Sequence, residues 1–309
     1  MGAQMGAAWW PRTSGWGSAR WARHRDEEHV RQSTRRRIVV FTDPDTLRDE
    51  RVSPLAETRD ALNHLANRGV AVVLWGNETR AELELIQDDL CLRHPFISEN
   101  GGGLFLPSGY FPAMRVAARQ VGGYDVVEFG RPCHHVADIL HDIADKLGIR
   151  VIGFSDMSVQ QVADECQLSL SQARIAKLRE YDEPFRLADP RPAVQSRLFS
   201  ALRRAGLRCF THERYHHVTG VTDKTESVRM LTSWYRHAWT DVLTVGLARE
   251  TAETRLLQAV DIPFVVQSAS IDAARLLRKV PTARFTEACG PQGWSDAIWH
   301  LVNTAPGTR

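Results

Sequence analysis

Short apolar runs, each cut off by a polar cluster, recur along this chain. Ile38-Val39-Val40-Phe41 ends abruptly in Thr42-Asp43-Pro44-Asp45. An unbroken apolar run of that length reads as a strand buried on both faces, here delivering carboxylates at its carboxyl end. Ser53-Pro54 signals a helix start, with Leu55, Leu62 and Leu65 on one face and Gly69 as the stop. Residues 70–75 predict a second strand, 79–92 a second helix, and Phe96-Ile97-Ser98 a third strand running into Glu99-Asn100-Gly101-Gly102-Gly103. Strands that alternate with helices predict a parallel, right-handed α/β sheet, and such sheets hold ligands beyond the carboxyl ends of their strands.

The middle of the chain reads differently. Residues 126–129, 150–154 and 207–211 are candidate strands, and 133–148 carries Val136, Ile139, Leu140, Ile143 and Leu147 at helical spacing. Ser169 and Gln172 form a capping-box start for a further helix. Asp189-Pro190-Arg191-Pro192 is a stop, followed by a helix over 193–204. This stretch predicts a separate α/β module, residues 111–217, inserted into a core made of 38–110 and 218–303. The sheet pattern returns with a helix opening at Asp223-Lys224, a strand over 241–246, a helix over 251–260 and a final strand over 262–266.

Composition changes this picture little. The chain has 309 residues, 43% hydrophobic and 25% charged, an ordinary mixture that favours two domains. No apolar run approaches the roughly 20 residues of a membrane span, so no membrane partner is expected. The five cysteines are scattered and form no C-x-x-C pair. They predict small buried side chains in a reducing, cytoplasmic setting rather than a disulfide framework. Charge is uneven: residues 1–37 hold eight arginines against three acids, a net +5, which leaves the body at −3. An acidic body argues against nucleic acid as a partner. The arm, with Trp9, Trp10, Trp16 and Trp21 and no period, predicts a disordered extension.

The chemistry lies at the strand ends. Asp43 and Asp45 at the end of one strand, a later Asp223-Lys224, and a strand ending in Gly246 form an ordered kit. In such a kit one carboxylate attacks phosphorus, its neighbour moves protons and a lysine neutralises charge. His134-His135 and His216-His217 are expected as one packed and one exposed ring in each pair. Trp234, Trp239, Trp294 and Trp299 are expected as core or interface aromatics rather than a sugar platform.

On these residues the chain resembles the haloacid dehalogenase-like hydrolases that carry an inserted α/β cap, subclass IIB, and among them the mannosyl-3-phosphoglycerate phosphatases. The matching strings are Val40-Phe-Thr-Asp-Pro-Asp45, Thr79-Arg-Ala-Glu82, Ile97-Ser-Glu-Asn-Gly101 and Gly153-Phe-Ser-Asp-Met157. They continue with Ala176-Lys-Leu-Arg-Glu-Tyr-Asp-Glu-Pro-Phe185, Arg214-Tyr-His-His217, Val245-Gly-Leu247, Ala259-Val-Asp-Ile-Pro263 and Gly290-Pro-Gln-Gly-Trp294. The resemblance implies a Rossmann-like core with a cap and a phosphatase acting on a small phosphorylated sugar-acid. It implies Mg2+ as cofactor and an aspartyl-phosphate at Asp43, with Asp45 as general acid/base and Lys224 holding the phosphate. Asn77, Glu180, Arg214 and His217 would face the substrate.

Three positions depart from the resembling pattern. Thr46 stands where the D-x-D motif is followed by glycine, and Pro44 removes a backbone N–H. Gly76-Asn77 stands in place of the second motif's hydroxyl residue, and Asn77 retains an amide donor. Gly246-Leu-Ala-Arg-Glu-Thr-Ala-Glu253 replaces a motif whose aspartates anchor the metal, putting Arg249 beside it. At an effective dielectric near 20, each unit charge pair at 4 Å is worth about 4 kcal/mol, so this exchange predicts a weakened metal site. Glu250 and Glu253, three residues apart, are the expected replacement ligands alongside Asp43 and Asp45. The alternative is an impaired pseudo-phosphatase that binds a phosphorylated ligand or a protein partner without turnover.

Overall fold

The computed structural model describes residues 36–47, 56–112, 119–212, 214–220, 224–249, 254–268 and 272–304. The predicted arm therefore lies outside the described residues except for Arg36 and Arg37. Arg37 already belongs to the first strand, its guanidinium over the Trp239 ring.

The first half builds β1 (Arg37–Thr42), α1 (Ala56–Asn67), β2 (Ala71–Trp75), α2 (Arg80–Asp89), β3 (Phe96–Ser98) and β4 (Gly103–Pro107). It continues with β5 (Arg119–Val121) and β6 (Tyr124–Glu128). The middle contributes α3 (Cys133–Leu147), β7 (Val151–Gly153), α4 (Val159–Cys166), α5 (Leu170–Ala176), β8 (Asp182–Leu187), α6 (Pro192–Arg204), β9 (Leu207–His212) and β10 (Tyr215–Gly220). The last third adds α7 (Lys224–Ala238), β11 (Val242–Ala248), α8 (Thr254–Leu257), β12 (Ile262–Gln267), α9 (Ala273–Lys279), β13 (Arg284–Cys289) and α10 (Gly290–Thr304).

The fold is α/β. The larger sheet runs β13-β12-β11-β1-β2-β3-β4-β6-β5, parallel from β13 to β3 and antiparallel beyond. β1 is central because both of its faces are apolar: Ile38 and Val40 join one buried cluster, Val39 and Phe41 the other. α1, α2 and α10 cover the first face, and α7, α8 and α9 the second. From β1 the chain winds outward to β2 and β3, and it later returns to add β11 on the opposite side of β1. The order reverses at β1, so the crevice outside its carboxyl end is where a ligand site is expected.

The smaller sheet, β7-β8-β10-β9, is antiparallel and carries α3 and α6 on one apolar cluster, with α4 and α5 on another. Two features differ from the sequence expectation. Residues 119–128, assigned to the module spanning 111–217, pair with β4 in the larger sheet, while β10 extends the smaller sheet to Gly220. The strand at 262–266 is not the last, since β13 follows it and leads into α10. The short run before β13, broken by Pro281 and Thr282, gives too little periodicity to announce that strand. Tyr181, 2% exposed, stitches the two sheets: a Cβ on Gly102 would fall 2.4 Å from its Cβ, and a Cβ on Gly103 2.7 Å from its ring. That close approach accounts for two of the three consecutive glycines after β3.

Candidate active site

At the end of β1 the backbone turns at once into a 3-10 turn, Pro44–Thr46, capped by Asp43. The amide of Asp45 donates to Asp43 Oδ1 at 2.8 Å, which orients the first carboxylate. Pro44 occupies the first position of that turn, where an N–H would have no partner inside the turn. Thr46 is fully buried in the same turn. Its hydroxyl donates to the Asp43 carbonyl at 2.6 Å and lies 2.9 Å from Thr42 Oγ1. Trp294 Nε1 donates to Thr42 Oγ1 at 3.0 Å, so the first turn of α10 braces the loop from below. The missing glycine has a simple resolution: residue 46 lies inside a right-handed turn and makes hydroxyl bonds that glycine cannot. Of the four tryptophans expected as core or interface aromatics, Trp294 is fully buried and Trp234 and Trp239 pack partly buried against the core, whereas Trp299 is exposed.

The loop after β2 supplies a third carboxylate that the sequence reading passed over. Asp43, Asp45 and Glu78 each offer one carboxylate oxygen, and these atoms lie within 4.8 Å of one another. Oxygens bound at 2.0–2.6 Å to one hard divalent cation sit at comparable separations, so the donor set fits Mg2+ or a similar ion. Glu78 is 8% exposed, and its Oε2 is buried with no hydrogen-bond partner. Burial, then the charges of Asp45 and Asp43, push its pKa well above the ordinary carboxylate range.

Arg249 arrives from the end of β11, on the other side of β1. Its Nη1 donates to the backbone carbonyl of Asp45 at 3.1 Å, and its own carbonyl accepts from Ser268 Oγ at 2.9 Å. Glu250 and Glu253, the expected replacement ligands, lie outside the described residues. Lys224 opens α7, and its side chain also lies outside the described part. The first turn of that helix reaches the rim, where Ser227 Oγ donates to the Gly101 carbonyl at 3.2 Å.

A second polar cluster joins the rim to the smaller sheet. Glu99, fully buried after β3, accepts three consecutive amides: Glu180 N at 2.8 Å on Oε1, then Tyr181 N at 2.7 Å and Asp182 N at 2.8 Å on Oε2. Burial raises its pKa to about 7, against the opposing pull of Arg179 and of those amides. Arg179 donates to the Asn77 carbonyl and lies 3.6 Å from Asp182 Oδ2. Burial works against its charge, but Glu82, Asp182, Glu99 and Glu78 outweigh that and raise its pKa. His217, 4% exposed, pairs through Nδ1 with Asp182 Oδ2 at 2.7 Å and stacks on Phe210 at 5.1 Å.

The structure thus brings Asp43, Asp45 and Asn77 to one rim and ties His217 to it through Asp182 and Arg179. Glu180 is engaged elsewhere, by Arg80 Nε at 2.8 Å, and Arg214 is held at the Glu165 carbonyl at the end of α4. His134 and His135 are both exposed, so the expectation of one packed ring fails for that pair; in the other pair His217 is buried as expected, but His216 is half-buried against Phe185 and Phe199 rather than exposed. Cys91 and Cys289 are exposed thiols rather than buried ones. Glu78 and Arg179 were given no role in the sequence reading, Glu99 was noted only as a strand-end carboxylate, and Asp182 was included only within the run 180–185 expected to face the substrate. Arg179 and Asp182 stood inside the string 176–185, and Glu99 followed the third strand. Glu78 had only its place one residue before a helix cap.

No family model matches the chain. It is 37% identical over 267 residues to the glucosyl-3-phosphoglycerate/mannosyl-3-phosphoglycerate phosphatase of Methanococcoides burtonii, covering 85% of this chain and 97% of that protein. A protein of the same name from Persephonella marina is 29% identical, covering 86% and 97%. Among solved structures, BT1666 of Bacteroides thetaiotaomicron, a phosphatase of the haloalkanoate (HAD) superfamily, aligns with a TM-score of 0.60 at 14% identity. That alignment covers 88% of this chain and 97% of the other. The HAD subclass IIB sugar phosphatase BT4131 aligns at 0.56 with 14% identity, covering 85% and 98%.

Proposed function

The chain belongs to the glucosyl-3-phosphoglycerate/mannosyl-3-phosphoglycerate phosphatase family, and from that premise we propose that it hydrolyses a glycosyl-3-phosphoglycerate to the glycosylglycerate and phosphate. The observation that carries this reading is the pair of carboxylates, Asp43 and Asp45, presented together at the carboxyl end of the central strand.

Asp43 attacks phosphorus, its orientation set by the Asp45 amide, and forms an aspartyl-phosphate as the phosphate ester bond breaks. Asp45 gives a proton to the departing alkoxide. It then takes one from the water that attacks the aspartyl-phosphate, which releases phosphate and restores Asp43. Lys224, at the start of α7, is placed by sequence resemblance to neutralise the phosphate. A bound Mg2+ held by Asp43 and Asp45 would neutralise charge on the phosphate and screen the nucleophile. Arg179 and His217, on the smaller sheet's side, would present polar groups to the glycerate and sugar. Five free cysteines, two of them exposed, accord with a reducing compartment such as the cytoplasm. Among the described residues no helix is long and apolar enough to cross a membrane.

The test is phosphate release from glucosyl- and mannosyl-3-phosphoglycerate with Mg2+. Asp43→Asn is expected to lower turnover at least about a thousandfold. No release from either ester, or release unaffected by Asp43→Asn, overturns the reading.

A further inference from the structure

β1 has two neighbours, and their ends carry opposite charges to the same place. From β11 comes Arg249, whose guanidinium occupies the Asp45 carbonyl. A cation approaching from that side meets another cation. From β2 comes Glu78, and three details of its surroundings point one way. Its carboxylate is nine-tenths buried beside two other carboxylates, an arrangement that like charges oppose unless something positive sits among them. Its Oε2 has no hydrogen-bond partner, although buried carboxylate oxygens are ordinarily satisfied. Its position depends on an absent side chain: a Cβ on Gly76 would fall 1.8 Å from Glu78 Oε2. The glycine before Asn77 therefore leaves the cradle in which the carboxylate lies.

We propose that Glu78 is the third carboxylate ligand of the divalent cation held by Asp43 and Asp45, so that the cation is gripped from the β2 loop, with Gly76 making the room, rather than from the β11 loop. This rests on the metal-dependent phosphatase reading for the presence of the ion, but concerns which loop holds it. One consequence is that the substitution at Arg249 does not empty the site; the negative charge lost at the end of β11 stands at the end of β2 instead.

The experiment is direct Mn2+ binding to the whole chain, by the loss of the free-ion EPR signal and by calorimetry with Mg2+, together with metal-free Tm. Glu78→Gln, nearly isosteric, is expected to weaken Mn2+ at least about tenfold with the metal-free Tm kept or raised. Gly76→Ala, which leaves all three carboxylates but crowds Glu78, is expected to weaken it in the same direction. A Glu250→Gln, Glu253→Gln double variant is expected to bind as the unmodified chain does. Should Glu78→Gln fail to fold, Gly76→Ala decides alone. Unchanged Mn2+ affinity in Glu78→Gln, or loss confined to the 250/253 variant, overturns the proposal. A chain that binds Mn2+ through Glu78 yet releases no phosphate keeps this inference and defeats the functional one. Release of phosphate with Mn2+ affinity indifferent to Glu78 does the reverse.

Discussion

Two glutamates sit buried on neighbouring loops at the same rim, Glu78 after β2 and Glu99 after β3. The loops touch: Glu99 N donates to the Glu78 carbonyl at 3.0 Å, and Asn100 N to the Gly76 carbonyl at 2.8 Å. Yet their carboxylates have opposite surroundings. Glu99 meets three amides and an arginine, and both its oxygens are used. Glu78 meets two aspartates, and one of its oxygens is unused. The same side chain at similar depth therefore does two jobs. Where donors converge on a carboxylate, it is a structural clamp, here joining the larger sheet to the smaller. Where acceptors converge, a buried carboxylate oxygen is left without a partner, and this is the feature on which the proposed cation ligand rests.

The sharpest way to break that contrast is to make one substitution at both positions. Glu99→Gln would turn an NH2 toward an amide donor, and is expected to cost about 2–4 kcal/mol in metal-free urea denaturation. Glu78→Gln would remove like-charge repulsion, and is expected to leave stability unchanged or raise it by about 1 kcal/mol. Equal losses at the two positions would mean that both are structural. Next in size is a pH effect. Burial pushes the Glu99 carboxyl up to about 7 in the folded chain, against 4.5 for a glutamate in the unfolded chain. Between those pH values the unfolded chain has given up the proton while the folded chain keeps it. Stability arising from this group is thus highest below pH 4.5 and falls as pH rises through 7, by up to about 3 kcal/mol. Denaturation curves across pH 4–8 should show that decline in the parent chain and a flatter profile in Glu99→Gln. The smallest effect sharpens the comparison at the first loop. Thr46→Gly, which restores the glycine of the resembling pattern, is expected to destabilise by about 1–2 kcal/mol, because two hydroxyl bonds are lost and no left-handed backbone is relieved. A gain in stability would show that the turn is strained after all.

Much of the larger sheet was legible because its strands are unbroken apolar runs closed by polar residues. Asp43 and Asp45 were legible because they end such a run. The boundary near residue 111 was not, since Tyr124-Asp125-Val126-Val127-Glu128 alternates as an edge hairpin of either sheet could. β13 was not, because Arg284–Cys289 mixes polar and apolar residues without a clean period. Glu180 and Arg214 were selected by their place in matching strings, but a string does not state which partner a long side chain reaches. Arg80 and the end of α4 took them.

Hydrophobic period and strand-end chemistry are local properties, and they sufficed to predict the α/β core and to single out Asp43 and Asp45, while the family was legible only through the matching strings. Which glutamate is clamped and which is left wanting depends on groups about 80 residues apart in the chain, Glu180 to Asp182 for one, and on the side-by-side order of β1, β2 and β11 for the other. Charge acts through space rather than along the backbone, so only the folded arrangement could decide where positive and negative groups meet.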